Sequence, residues 1–111
     1  MTILFFRVEE VLNDENTEAI APNGERGISN ERVKKLKINL DEMGPGAQLV
    51  LYGEWAKDWN FDDEKCTPNG KYLIKKLDRR GLHIMDKIEA QQDPIMEYLK
   101  THHVDHYTVL A

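Results

Sequence analysis

The sequence predicts a single α+β domain over residues 1–111, with a mixed or antiparallel sheet of about four strands and two to three helices. Three observations carry that expectation. With 111 residues, 41% of them hydrophobic and 32% charged, the chain can build one core of ordinary size and has no room for two. Apolar runs of strand length alternate with segments of helical spacing, in the order strand, ambiguous element, strand, helix, strand, helix, strand. Two long polar loops and the ambiguous second element break a regular strand-helix-strand rhythm, which favours a mixed or antiparallel sheet over a doubly wound one.

Thr2–Leu12 reads as a strand with Leu4, Phe6, Val8 and Leu12 on one parity and Ile3, Phe5 and Val11 on the other. Apolar residues on both faces mark a central position in a sheet. Asn13–Gly27 is polar and longer than a usual connection, and within it Pro22-Asn23-Gly24 is a turn signal. Ser29–Met43 supports two readings. Val33, Leu36, Leu40 and Met43 fall on one helical face, with Ser29 or Asn30 available as a cap, whereas Leu36, Ile38 and Leu40 also alternate with Lys37, Asn39 and Asp41 as a strand would. The helix accounts for more residues and stops at Gly44-Pro45-Gly46.

Ala47–Trp55 is a strand around Leu49, Val50, Leu51 and Tyr52, with Gly53 as a possible bulge. Ala56–Thr67 is a polar, acidic loop. Pro68-Asn69-Gly70, which repeats the triplet at 22–24, opens a helix over Lys71–Arg80 with Leu73, Ile74 and Leu77 as its stripe and Gly81 as its stop. Leu82–Glu89 alternates as a strand. Asp93-Pro94 starts the last helix, with Asp as cap and Pro at the first turn, and the helix is expected to end near His103. His106–Leu110 is a short closing strand.

The longest apolar runs, Ile3–Phe6 and Leu49–Tyr52, are far below the roughly 20 residues of a membrane-spanning helix. No basic region precedes an apolar stretch at the N-terminus, so no secretion signal is expected. A single cysteine, Cys66, excludes an intrachain disulfide and a cysteine-based zinc site, which fits a cytoplasmic, reducing setting.

The formal net charge of -5 hides an alternation along the chain. Residues 1–30, 41–66 and 81–111 are acidic, and 31–40 and 67–80 are basic. Such blocks can pair with one another on a folded surface for little energy. They can also gather the acids on one face, where they would steer a basic partner.

Trp55, Trp59 and Phe61 precede Asp62-Asp63-Glu64, with Asp58 beside Trp59. Exposed together, Trp55, Asp58, Trp59, Asp62, Asp63 and Glu64 would form an aromatic anchor with an acidic rim, the composition that binding hot spots favour. The competing reading places Trp55 and Phe61 in the core and Trp59 over the sheet edge. His102, His103, Asp105 and His106 crowd three of the four histidines beside a carboxylate, a set able to ligate a divalent transition metal or to move a proton. Against that, no separated third ligand has recognisable spacing, and histidines suit a helix C-terminus without any metal. The basic stretches 32–37 and 71–80 suggest phosphate contacts, but a sequence pI near 5.3 argues against nucleic acid as a partner.

No nucleophile motif, phosphate loop or dinucleotide fingerprint is present, so no cofactor is expected. The functional expectation is a small acidic protein-binding module, an inhibitor or immunity-type protein of bacterial or phage origin, that occludes a basic partner through acidic loops and aromatic anchors. The alternatives are a metal-binding or hydrolytic enzyme using the His/Asp cluster and a nucleic-acid module using the basic stretches.

Overall fold

A strand that is apolar on both parities can be buried only if both faces of its sheet are covered. Two strands of this chain have that composition. A computed structural model describes residues 1–90 and 92–111, and in it β1 (Thr2–Phe6) and β2 (Ala47–Leu51) lie side by side in parallel, with Leu4 opposite Leu49 and Phe5 opposite Val50. β3 (Ile84–Lys87) adds to the far side of β2 and β4 (His106–Val109) to the far side of β1, giving the order β3-β2-β1-β4.

All three pairings are parallel. The domain is therefore α/β, which corrects the expectation of an α+β domain with a mixed or antiparallel sheet. That expectation took the long loops as evidence against crossovers. Parallel neighbours require a long crossover and tolerate additional loop within it, so loop length had no bearing on strand direction.

The helices divide between the two faces. α1 (Asn30–Glu42) and α2 (Pro68–Asp78) bring Val33, Leu36, Leu73 and Leu77 against Leu4, Phe6, Leu49 and Leu51. α3 (Pro94–Thr101) brings Tyr98, with Ile95 and Leu99, against Ile3, Phe5 and Val50 on the opposite face. Burying each of these large side chains contributes about 1.5–3 kcal/mol.

The ambiguous segment is helical. Ser29 caps α1 by accepting from the Arg32 amide at 3.4 Å, and the stripe of Val33 and Leu36 faces the core. α2 begins three residues earlier than Lys71, with Thr67 as its cap and Pro68 in the first turn. Gly70 packs so closely on the Asp58 carbonyl that no Cβ fits there. Asp93 precedes α3 but adopts φ 46 and makes no side-chain cap bond.

The connection between β1 and α1 is long and well anchored. Val8, Leu12, Ala21 and Ile28 are buried in it, and the Ser29 amide donates to the Leu12 carbonyl at 2.8 Å. The Pro22-Asn23-Gly24 turn touches the first turn of α2, the Asn23 amide donating to Asn69 Oδ1 at 3.2 Å.

On the α3 face, the Tyr98 hydroxyl donates to Asp86 Oδ2 at 3.0 Å, and the Tyr98 ring meets Phe5 edge-on at 5.6 Å. Burial first, then the bond to Asp86 and its charge, push the Tyr98 phenol from an ordinary 10.0 up to about 12. The folded state thus holds this proton more tightly than the unfolded chain. The resulting stability is fully present below about pH 10 and is lost as pH rises from about 10 toward about 12. Urea unfolding across that range should show a weaker alkaline loss in Tyr98→Phe than in the parent, and parallel curves would contradict the coupling.

Candidate functional site

In an open parallel sheet, ligands bind in the crevice outside the carboxyl ends of the strands, where neighbouring strands send their connections in opposite directions. Here that point falls beside β1. From β1 the chain passes to β2 and β3 on one side, then returns to place β4 on the other. Arg7 leaves the end of β1, Tyr52-Gly53-Glu54 leave the end of β2, and Leu110-Ala111 follow β4.

Two adjoining hollows open at this edge, of about 730 Å³ and 680 Å³, and both are lined by Arg7, Gly53 and Glu54. Glu9, Glu10 and Ala111 complete the first. Lys57, Glu89 and Pro94 at the start of α3 are among the walls of the second. The Tyr52 hydroxyl donates to the Leu110 carbonyl at 2.7 Å, tying the ends of β2 and β4 together beneath the crevice. Burial raises the Tyr52 phenol, with Arg7 opposing the shift and Glu9 adding to it.

Two polar atoms here stand out. Arg7 Nε and Glu9 Oε1 are buried without a hydrogen-bond partner among the described residues. Buried polar groups are nearly always paired, and leaving one unpaired costs about 1–3 kcal/mol. The other Glu9 oxygen accepts from the Glu54 amide at 3.3 Å. Gly53, at φ 88, lies under that carboxylate, and a Cβ there would come within 2.7 Å of Glu9 Oε2 and 3.0 Å of Arg7 Cβ. The close approach and the positive φ both require glycine.

Glu10 adopts φ 69, a left-handed conformation that costs a residue with a Cβ about 1–2 kcal/mol. Its surroundings hold it there. The Glu10 amide donates to Asn13 Oδ1 at 3.3 Å, and its carbonyl accepts from Arg32 Nη1 at 2.8 Å. Asn13 is buried and donates to the Gly27 carbonyl at 3.0 Å. Arg32 Nη2 pairs with Asp14, whose carboxyl is held below its usual value by the Asn16 amide and by Arg32. Strain kept in place by such clamps gathers at functional sites.

The residues singled out from the sequence lie elsewhere. Trp55 and Trp59 are each 6% exposed and belong to the core. Phe61, by contrast, is 67% exposed, with its ring edge-on to Trp59 at 4.8 Å. Asp58 is turned inward, accepting from the Thr67 hydroxyl at 2.8 Å and pairing with Lys57 at 3.3 Å. Asp62 caps the 3₁₀ turn Asp63–Lys65 through the Glu64 amide, and Asp63 and Glu64 are exposed.

The histidines separate. The His102 ring stacks on Tyr98 at 3.8 Å, with Nε2 3.8 Å from Asp86 Oδ2. His103 pairs with Asp105 at 3.1 Å, and Asp105 binds the terminal ammonium of Met1 at 2.7 Å. That ammonium, followed by His103 and His106, holds the Asp105 carboxyl below its usual value. Among the described residues, no three His, Cys, Asp or Glu side chains converge so as to hold a metal ion. His83 pairs with Asp78 beside β3, at the opposite edge of the sheet from β4. In the basic stretches, Arg32 serves the Glu10 clamp, Lys37 pairs with Asp41 at 3.0 Å, and Lys76 donates to Asn30 at 3.1 Å. Among the described residues, no helix is long and apolar enough to cross a membrane.

No family model, curated protein or solved structure matches the chain at a significant level. The site is defined by its own geometry. Arg7, Glu9 and Gly53 left a faint trace in the sequence: a charged residue directly after the apolar run Ile3–Phe6, and a glycine directly after Leu49–Tyr52.

Two substitutions separate strain from contact. Glu10→Gly should stabilise the protein, by about 1 kcal/mol or less once the added freedom of the unfolded chain is counted. Gly53→Ala should destabilise it by about 1–3 kcal/mol through the positive φ and the displaced Glu9 carboxylate. Urea midpoints of both variants check this, and opposite signs would contradict the geometry described.

Proposed function

We propose that the protein binds a small polar ligand in the crevice at the carboxyl ends of β1 and β2, with an anionic group of the ligand on Arg7 and hydroxyl or amino donors on Glu9. One observation supports this above the rest: Arg7 Nε and Glu9 Oε1 are a buried donor and a buried acceptor, both unpartnered among the described residues, on two side chains that line the same hollow at the exit of β1. A guanidinium in that position suits a carboxylate or phosphate, which its planar fork grips through two parallel bonds. The carboxylates of Glu9, Glu10 and Glu54 around it disfavour a ligand that is anionic throughout and favour one that also carries donors.

The hollows are lined by Glu9, Glu10, Glu54 and Glu89 with Arg7 and Lys57, charged groups that suit the recognition of a polar ligand. Glu9 already has one oxygen committed to the Glu54 amide.

Thermal unfolding with inorganic phosphate, succinate, aspartate and a sugar phosphate tests the proposal. A ligand at about a hundredfold its Kd should stabilise the fold by about 2.7 kcal/mol, a rise of several degrees in Tm. Arg7→Gln should abolish that rise. No rise with any of the four compounds, or one that persists in Arg7→Gln, would contradict the proposal.

A further inference from the structure

We propose that the hollow between Phe61 and the outer edge of β3 docks an extended, basic segment of a protein partner. The hollow, about 390 Å³, has a floor of Ile74, Leu77, Leu82 and Ile84 and is walled by Trp59 and Phe61. It lies on the opposite side of β2 from the switch point beside β1 and shares no lining residue with the Arg7 crevice.

Three independent features define the occupant. Phe61 is the most exposed of the large apolar side chains, at 67%, yet its ring is oriented edge-on against the buried Trp59. An aromatic held rigid and left in water loses little freedom when a partner covers it. Beside it, β3 is the last strand of the sheet, and no described strand pairs with its outer side. Backbone groups along such an edge accept an added strand, whose alternate side chains then meet the adjoining surface. Ile84, the first residue of β3, is itself part of the floor, so a strand laid along β3 would place an apolar side chain over the hollow.

Charge decides the chemistry of the remaining side chains. Asp63 and Asp78 line the hollow, Asp62 follows Phe61 directly and Glu64 lies three residues beyond it. The His83 ring lies 3.3 Å from Asp78, and the lining of the hollow includes no lysine or arginine among the described residues. The lining therefore keeps an acidic excess in Asp63 and Asp78, which complements lysine or arginine on the solvent side of an incoming strand and raises its association rate. The aromatic contact falls to Phe61 because Trp59 is buried, and the acidic contribution to Asp62, Asp63, Glu64 and Asp78 because Asp58 is engaged internally.

Fluorescence anisotropy on the whole protein, with three labelled peptides, tests the proposal: one alternating lysine with valine or leucine, its glutamate counterpart, and oligolysine. The alternating basic peptide should bind at least about tenfold more tightly than either of the others. Phe61→Ser and Asp63→Lys should each weaken it by about tenfold or more, Arg7→Gln should leave it unchanged, and amide signals of Ile84–Lys87 should shift on binding. Oligolysine binding as tightly as the alternating peptide would reduce the effect to charge alone and overturn the proposal. Failure of all three peptides to bind would overturn it too, as would binding that survives both the Phe61 and Asp63 variants. A dimer that dissociates in Phe61→Ser, without peptide binding, would make a second copy the occupant and equally overturn it.

Discussion

Everything in this molecule is arranged around the burial of β1 on both faces. Ile3, Leu4, Phe5 and Phe6 are inaccessible to solvent, so helices must cover both sides of the sheet and strands must flank β1 on both edges. Parallel pairing to β2 and β4 meets the second requirement, and α1 with α2 on one face and α3 on the other meet the first. Truncating a buried leucine in such a strand typically costs about 2–5 kcal/mol, a large share of the roughly 5–15 kcal/mol that holds a domain folded. The strand is thus the element the fold can least afford to lose.

The same constraint creates the crevice. A central strand with neighbours reached in opposite directions leaves a gap where the chain exits, and the first residue into that gap is Arg7. A charged residue there is costly, and so are an unpartnered glutamate oxygen and a left-handed Glu10. The clamp of Asn13, Arg32 and Asp14 holds the strained turn in place. Glycine at 53 makes room for the Glu9 carboxylate. A strained residue and unpartnered buried polar atoms gathered at the exit of β1 support the proposal that a ligand binds there.

Local chemistry was the part of this fold legible in the sequence. The Ser29 cap, the proline-led start of α2, the turn at Pro22-Asn23-Gly24 and the central position of β1 follow from residues acting on their near neighbours. Strand direction depends instead on where a chain goes after it leaves the sheet. The loops that suggested a mixed sheet carry buried residues such as Val8, Leu12 and Ile28, whose partners are distant in sequence. For the same reason neither reading of the aromatics placed them all: Trp55 and Trp59 are core rather than an exposed anchor, and Phe61, which the competing reading put in the core, is the exposed one. The histidines illustrate the converse: adjacency along the chain sent His102 toward Tyr98 and Asp86, and His103 toward Asp105. Arg7 and Glu9 were visible as charges after an apolar run, but their lack of partners is a property of the folded state alone.

The central claim, that the exit of β1 forms a ligand site, is tested most directly by nitrogen-resolved NMR of the arginine side chains. On titration with a small carboxylate or phosphate ligand, the Nε–H signal of Arg7 should shift and its exchange with water should slow, together with amide shifts at Gly53 and Glu54. Arg32, whose guanidinium is already bound to Asp14 and the Glu10 carbonyl, should keep its signal. Shifts confined to other parts of the molecule, with the Arg7 Nε–H signal unmoved, would contradict the account.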